Sequence, residues 1–455
     1  MTSADTEIAV GLPRLRDRSR DLTRNNPHAR KALSVWVNNL VGCGIVPRAK
    51  SGNADLDKRV NELFARWSES CDPEGQLDFY GIQDLITREM VEGGEVLIRR
   101  RPRFTSDGLP VPLQLQVLEG DFLDLTKMGP TPGGRVVNGV EFNGIGRRTG
   151  YWLFPDHPGN GLYQQIGSGT SQRIDAGEVV HLFRKERTQT RGVPWCAPVV
   201  RGLRDLDDYE VAELMRKKTE ACVVAVVTGA DQGDEAIAPY VQQSGLDLAV
   251  RDGMGRPVER FSPGMIAYSH GAKQIEFNNP QGDGAFTQYK AASLRTIAAG
   301  YMVPYELLTG DLSQVNFSSA RVGLVEFRRL CETVQWLCLI PMALQPIWRW
   351  FCESAYLSGQ LPVPFVPVNW APQQFDSVNP LDDANAELKA IRTGTLTLRE
   401  AIARKGYDPD EVMAEHAATA AVLDDLGLVF DSDARKVSQG GNEQPSQAPQ
   451  ERTPE

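Results

Sequence analysis

Over the first ninety residues apolar positions return every three or four places, the spacing of one helical face. Ala32, Val35, Trp36 and Leu40 define such a face in a helical pattern over 14–41; Asn25-Asn26-Pro27 starts a segment within it and Gly42-Cys43-Gly44 stops it. Two more helices are predicted at 54–68 and 80–91. After Gly93-Gly94 the period shortens to two. Glu95-Val96-Leu97-Ile98 reads as a strand, and Leu113-Gln114-Leu115-Gln116-Val117-Leu118 alternates cleanly. Further strands at 136–142, 150–154 and 178–183 make 93–183 an antiparallel β region behind a helical start.

The second half returns to helices. The pattern at 203–221 places Asp205, Asp207, Asp208, Glu210 and Glu213 early and Arg216, Lys217 and Lys218 late, which complements the helix dipole. A β-branched run, 222–227, opens a Gly-, Asp- and Pro-rich module inserted before an alanine-rich helix at 286–303. Pro304 disfavours helix at Val303. From Ser319 to Ser358 apolar positions continue at helical spacing, about 60 Å if straight, with a kink or break expected at Pro341 and Pro346. Between these helices lies a polar loop containing Thr309, Gly310, Asp311, Leu312, Ser313, Gln314, Val315 and Asn316, held out toward a partner. Helices at 379–393, 397–405 and 408–426 precede a tail, from Ser438, of disordered composition.

A chain of 455 residues exceeds one ordinary core, so two to four domains are expected. The longest apolar run, 336–344, is half of a membrane span, so no membrane segment is expected, and the N-terminus lacks the pattern of a secretory signal. Seven scattered cysteines suit a reducing compartment, with free, mostly buried thiols. The net charge of −10 is uneven: residues 1–50 carry nine Lys/Arg against four Asp/Glu, and residues 371–455 eight against sixteen. Outside the first fifty residues, the basic stripe that tight duplex binding requires is limited to Arg99-Arg100-Arg101 and Arg103.

No phosphate-binding loop of the Gly-x-x-x-x-Gly-Lys-Ser/Thr type occurs, and Gly42-Cys43-Gly44 lacks a third glycine and follows a helix. The five histidines have no metal-ligand spacing, and Cys331, Cys338 and Cys352 fit buried helix packing. Glu92 with Glu95, or Glu119 with Asp121, are the acid pairs available for general acid–base work, and Ser318-Ser319 fits a helix cap. No catalytic, cofactor or metal site is predicted.

Asn25 to Arg30 with Val41-Gly42-Cys43-Gly44-Ile45, Arg191-Gly192-Val193-Pro194-Trp195-Cys196-Ala197-Pro198, Val303 to Gly310, Asn316 to Arg321, and Asn379 to Asp382 with Gly406-Tyr407-Asp408-Pro409 resemble, in that order, the portal proteins of lambda-like tailed bacteriophages. The resemblance implies an α+β portal fold assembled as a twelve-subunit ring at one capsid vertex of the virion, built in the host cytoplasm. It implies a wing at 1–202, stem helices at 203–222 and 286–307, an inserted clip at 223–285 and a tunnel loop at 308–318. A long kinked helix and connection at 319–374, a helical crown at 375–430 and a disordered tail at 431–455 complete it. Double-stranded DNA would pass through the channel in packaging and ejection. The terminase large subunit and then a head–tail adaptor would dock on the clip, with Asp231, Asp234, Glu235, Arg256, Glu259 and Arg260 as its charged residues. The major capsid protein and scaffold would surround the ring. The competing classes are a nucleic-acid or cell-wall hydrolase using Glu119, Asp121 or Ser319, and a capsid adaptor of lower symmetry.

Overall fold

In a computed structural model, residues 2–160, 170–227, 265–268, 285–313, 317–373, 375, 380–405, 407, 409–430 and 436 are described. Helix α1, Ala4–Asn25, starts ten residues before the predicted pattern, capped by Ser3, and continues through Pro13. Asn26 leaves helical geometry, and its side chain accepts from the amides of His28 and Ala29 to start α2, Pro27–Leu40, with proline at the position where a missing N–H matters least. Helices α3, Ala54–Ser68, and α4, Phe79–Glu92, follow as predicted. Strand β1, Val46–Ala49, pairs with a distant partner near residue 370.

The β region is antiparallel throughout and divides into two sheets. One has β2, Glu95–Pro102, between β3, Leu113–Glu119, and β9, Val179–Phe183; the other runs β4-β5-β6-β7-β8 over Gly129–Thr131, Gly134–Val137, Val140–Asn143, Arg148–Leu153 and Gln172–Asp175. The single strand expected at 136–142 is instead a hairpin. Asn138 and Gly139 have φ of 51° and 86°, the two left-handed positions of the tight turn that an Asn-Gly pair favours.

Helix α5, Val200–Cys222, leads to β10, Val223–Val227, which pairs in parallel with β11, Met265–Tyr268. Helix α6, Ala285–Tyr301, the short α7, Tyr305–Thr309, and α8, Phe317–Val334, follow. The second stem segment expected as 286–307 is therefore broken at 302–304. Neither Pro341 nor Pro346 breaks the long helix. Gln335–Leu344 runs on as π-helix, with the Gln345 amide bonding to the Ile340 carbonyl, and α9, Gln345–Leu357, takes Pro346 in its first turn. The wide turn accepts a residue without an N–H and keeps the chain helical.

By length and composition Arg321–Leu357 would suit a membrane span, but half of its most apolar stretch is buried within the fold. Its Trp348, Phe351 and Cys352 join Trp36, Trp67 and Phe79 in one core. Strand β12, Val368–Ala371, closes on β1, and α10, Pro380–Arg392, α11, Leu398–Arg404, and α12, Pro409–Asp425, end the described chain. The six cysteines whose side chains are described are free, and all but Cys43 are buried.

Candidate functional site

The polar loop begins where α7 ends. Gly310 takes φ of 74°, the left-handed conformation open to glycine, and its amide donates to the Glu306 carbonyl. Thr309 Oγ1 accepts from the Asp311 amide at 3.1 Å, and Asp311 Oδ1 accepts from the Ser313 amide at 3.0 Å. The bonds to Ser313 hold the Asp311 carboxyl below its usual range, so it presents a negative charge. Leu312 is 69% exposed at the tip. Thr309 is helical, whereas Gln314, Val315 and Asn316 lie outside the described residues, as do the clip candidates Asp231, Asp234, Glu235, Arg256, Glu259 and Arg260.

A helix-ending motif fixes the loop's base. Val303 donates to the Ala298 carbonyl and Met302 to that of Ala299, closing α6 with Met302 at φ 58°, where glycine is usual. Trp36 Nε1 donates to the Tyr301 carbonyl at 2.8 Å, and the Trp36 ring meets Trp195 and Phe327 edge-on. Trp36, Trp195, Tyr301 and Phe327 thus bring three distant segments together in one aromatic junction at the loop's base. Helices α5 and α6 leave this junction antiparallel: Leu203 and Ile297 share the core, Glu210 pairs with Lys290 at 2.9 Å, and Lys217 lies over Phe286. Away from the core the pair exposes Val211, Leu214, Met215 and Tyr289.

Beside the junction lies a buried charge centre. Glu95 Oε1 accepts from Arg16 at 2.6 Å and from Arg191 Nε at 2.7 Å; Oε2 accepts from the Gly192 amide at 2.8 Å and from His181 at 2.9 Å. Burial works against ionisation, but Arg191, His181 and Arg16 outweigh it and hold this carboxyl well below its usual range. Arg148 lies 2.9 Å from His181 Nδ1, and a guanidinium only donates, so the imidazole is neutral with its proton on Nε2. Burial, with Arg148 and Arg191 nearby, lowers its pKa to about 4 despite Glu95. Arg191 also donates to the carbonyls of Gly120 and Asn138.

Of the acids read in pairs from the sequence, Glu95, Glu119 and Asp121 are thus held in ion pairs with arginine. Arg20 sits 2.7 Å from both Glu119 and Asp121 and 3.0 Å from Glu89. The tertiary fold brings His157 to Glu119 and Asp121, a set that chain spacing did not show and that has the donor types of a metal site. The Arg20 guanidinium already supplies the cation there, so the set does not fit a metal. Ser319 lies in the first turn of α8.

Acids crowd Arg20, and burial, opposed by Arg20 but aided by Glu119, raises Glu89 to about 8. A carboxyl raised in the fold stabilises below its unfolded pKa and loses that contribution as pH rises through the folded one. Glu89→Gln, which mimics the protonated form, is expected to exceed the parent's denaturation midpoint at pH 8.5 and to match it at pH 4, below the unfolded pKa.

The arrangement is that of a structural component, a polar loop on a rigid helical junction, with the nearby acids engaged in ion pairs. Residues 1–335 match the family described as "Phage portal protein, lambda family", and the chain belongs to that family, whose role is structural rather than enzymatic. Among its relatives is the "Probable portal protein" of Halomonas phage phiHAP-1, 28% identical over 429 residues, covering 90% of this chain and 80% of the relative. The "Portal protein" of Escherichia phage N15 is 22% identical over 471 residues, covering 91% and 85%. Among solved structures, "Neck of native GTA particle computed with C12 symmetry" aligns with a TM-score of 0.45 at 18% identity, over 86% of this chain and 94% of that one.

Proposed function

We propose that this chain forms a dodecameric ring at one capsid vertex, the channel through which double-stranded DNA is packaged and ejected. Family membership across 1–335, which spans both α5 and α6 and the polar loop, carries this reading. In it α5 and α6 form the stem, 223–285 the clip that receives the terminase large subunit and then the head–tail adaptor, and 375–430 the crown. The wing, 1–202, faces the major capsid protein and scaffold. The apolar residues left exposed along α5 and α6 suit burial against neighbouring subunits. Thr309 to Asn316 would narrow the channel. That loop has one acid, Asp311, and no Lys or Arg, so it releases no counterions from DNA and resists sliding little.

Deletion of 310–316 tests the loop's part. Gly310 to Ser313, the described part of the deleted segment, are all exposed, so rings of twelve are expected by electron microscopy, with full-length packaging lowered. Normal packaging by such rings would remove the loop from the mechanism, and a ring of another order would correct the assembly.

A further inference from the structure

Strand β2 sorts its arginines by face. Arg100 shares the side of Val96 and Ile98 and is absorbed there, donating to Glu353 at 2.9 Å and Ser354 at 3.2 Å. Arg99 and Arg101 alternate onto the opposite face, followed by Arg103, whose amide extends the ladder to the Pro112 carbonyl. Gln116 and Gln114 stand opposite Arg99 and Arg101. Arg101 Nε donates to Gln116 at 2.8 Å and Arg103 Nε to Gln114 at 2.7 Å, which engages the inner nitrogen of each fork and leaves the outer ones without a partner among the described residues. Among the described residues no carboxylate pairs with Arg99, Arg101 or Arg103. Burial and the two flanking arginines lower Arg101 below its usual pKa, with no acid opposing them. Three like charges on one strand face repel, and folding alone gives no reason to keep them.

We propose that this face binds the phosphate backbone of duplex DNA, at a place distinct from the loop and stem. Alternate strand residues step by about 6.7 Å, comparable to the separation of successive phosphates, whose axial rise of about 3.4 Å is lengthened by the turn of the helix. Each fork suits bidentate contact with a phosphate, and the glutamines add polar contacts without negative charge. A phosphate chain keeps this repeat whatever its sequence, whereas an acidic protein segment matches it only when extended with acids at alternate positions. The inference rests on the reading that this protein meets DNA, and its test is separate from that of the loop.

The test is a salt titration of random-sequence duplex binding by full-length rings. R99Q/R101Q/R103Q is expected to make the slope of log K against log salt shallower by about 2.7, at about 0.9 per lost phosphate contact. Ring assembly and thermal midpoint should equal or exceed the parent's, since repulsion is relieved. R100Q, on the other face, should lower the midpoint and keep the slope. Parent rings that do not bind duplex, an unchanged slope, or a loss confined to polyglutamate binding would each overturn the proposal. Normal packaging after loop deletion bears on the channel reading and leaves this slope untouched.

Discussion

Replacing Glu95 by Gln is expected to destabilise the fold by about 3–5 kcal/mol, the range for removing one partner of a buried ion pair, read as a lower urea midpoint. The side chains of Arg16 and Arg191 are 3% and 1% exposed, and neither charge can turn to water when its carboxylate is gone. An amide also places an NH₂ group among donors, since every neighbour of Glu95, the Gly192 amide and His181 included, donates to it. Arg16 ties α1 to the rest of the molecule through Glu95, Asp121 and the Gly93 carbonyl. Limited proteolysis should therefore cut α1 in the variant before the sheets. A midpoint unchanged from the parent would show that the centre is replaceable.

Gly192→Ala is expected to cost several kcal/mol, beyond the usual overpacking range of about 1–3 kcal/mol. An added Cβ would lie 2.1 Å from the Gly94 carbonyl oxygen and 2.7 Å from the Phe183 Cβ. The approach is close from the other side as well: a Cβ added at Gly94, whose φ is 87°, would lie 2.3 Å from the Val193 carbonyl carbon, so the two segments meet backbone to backbone. Any shift also draws the Gly192 amide from Glu95. Gly310→Ala is the comparison: nothing lies within 4 Å of its added Cβ, and only the left-handed φ of 74° opposes it, a cost of about 1–2 kcal/mol. Thermal midpoints of the two variants should therefore differ markedly, and equal midpoints would refute the packing argument.

Both sites fall in segments that the sequence marks without explaining. Arg191-Gly192-Val193-Pro194-Trp195 carries no periodicity and no chemistry of its own, and its resemblance to a portal family was the signal available. Its meaning lies 96 residues away along the chain, in Glu95, and the pairing becomes visible when β2 and β9 lie side by side. Glu95 itself reads as one acid among many. The Asn138-Gly139 turn was legible in principle as the strongest short hairpin signal, yet the apolar residues around it read as one strand. The π-helical passage around Pro341 was not legible, because a proline in a helical pattern signals a break unless the neighbouring core holds the chain helical.

Local chemistry determined the helices, the antiparallel alternation, the Asn26 cap and the polar character of Thr309 to Ser313, because each depends on residues within a few positions of one another. Tertiary structure alone decided that the acids are ion-pair partners, that Trp36, Trp195 and Phe327 form the loop's foundation, and that Arg100 is absorbed while Arg99, Arg101 and Arg103 are not. Those outcomes depend on which distant segments meet, and a buried charge takes its role from the partner the fold supplies.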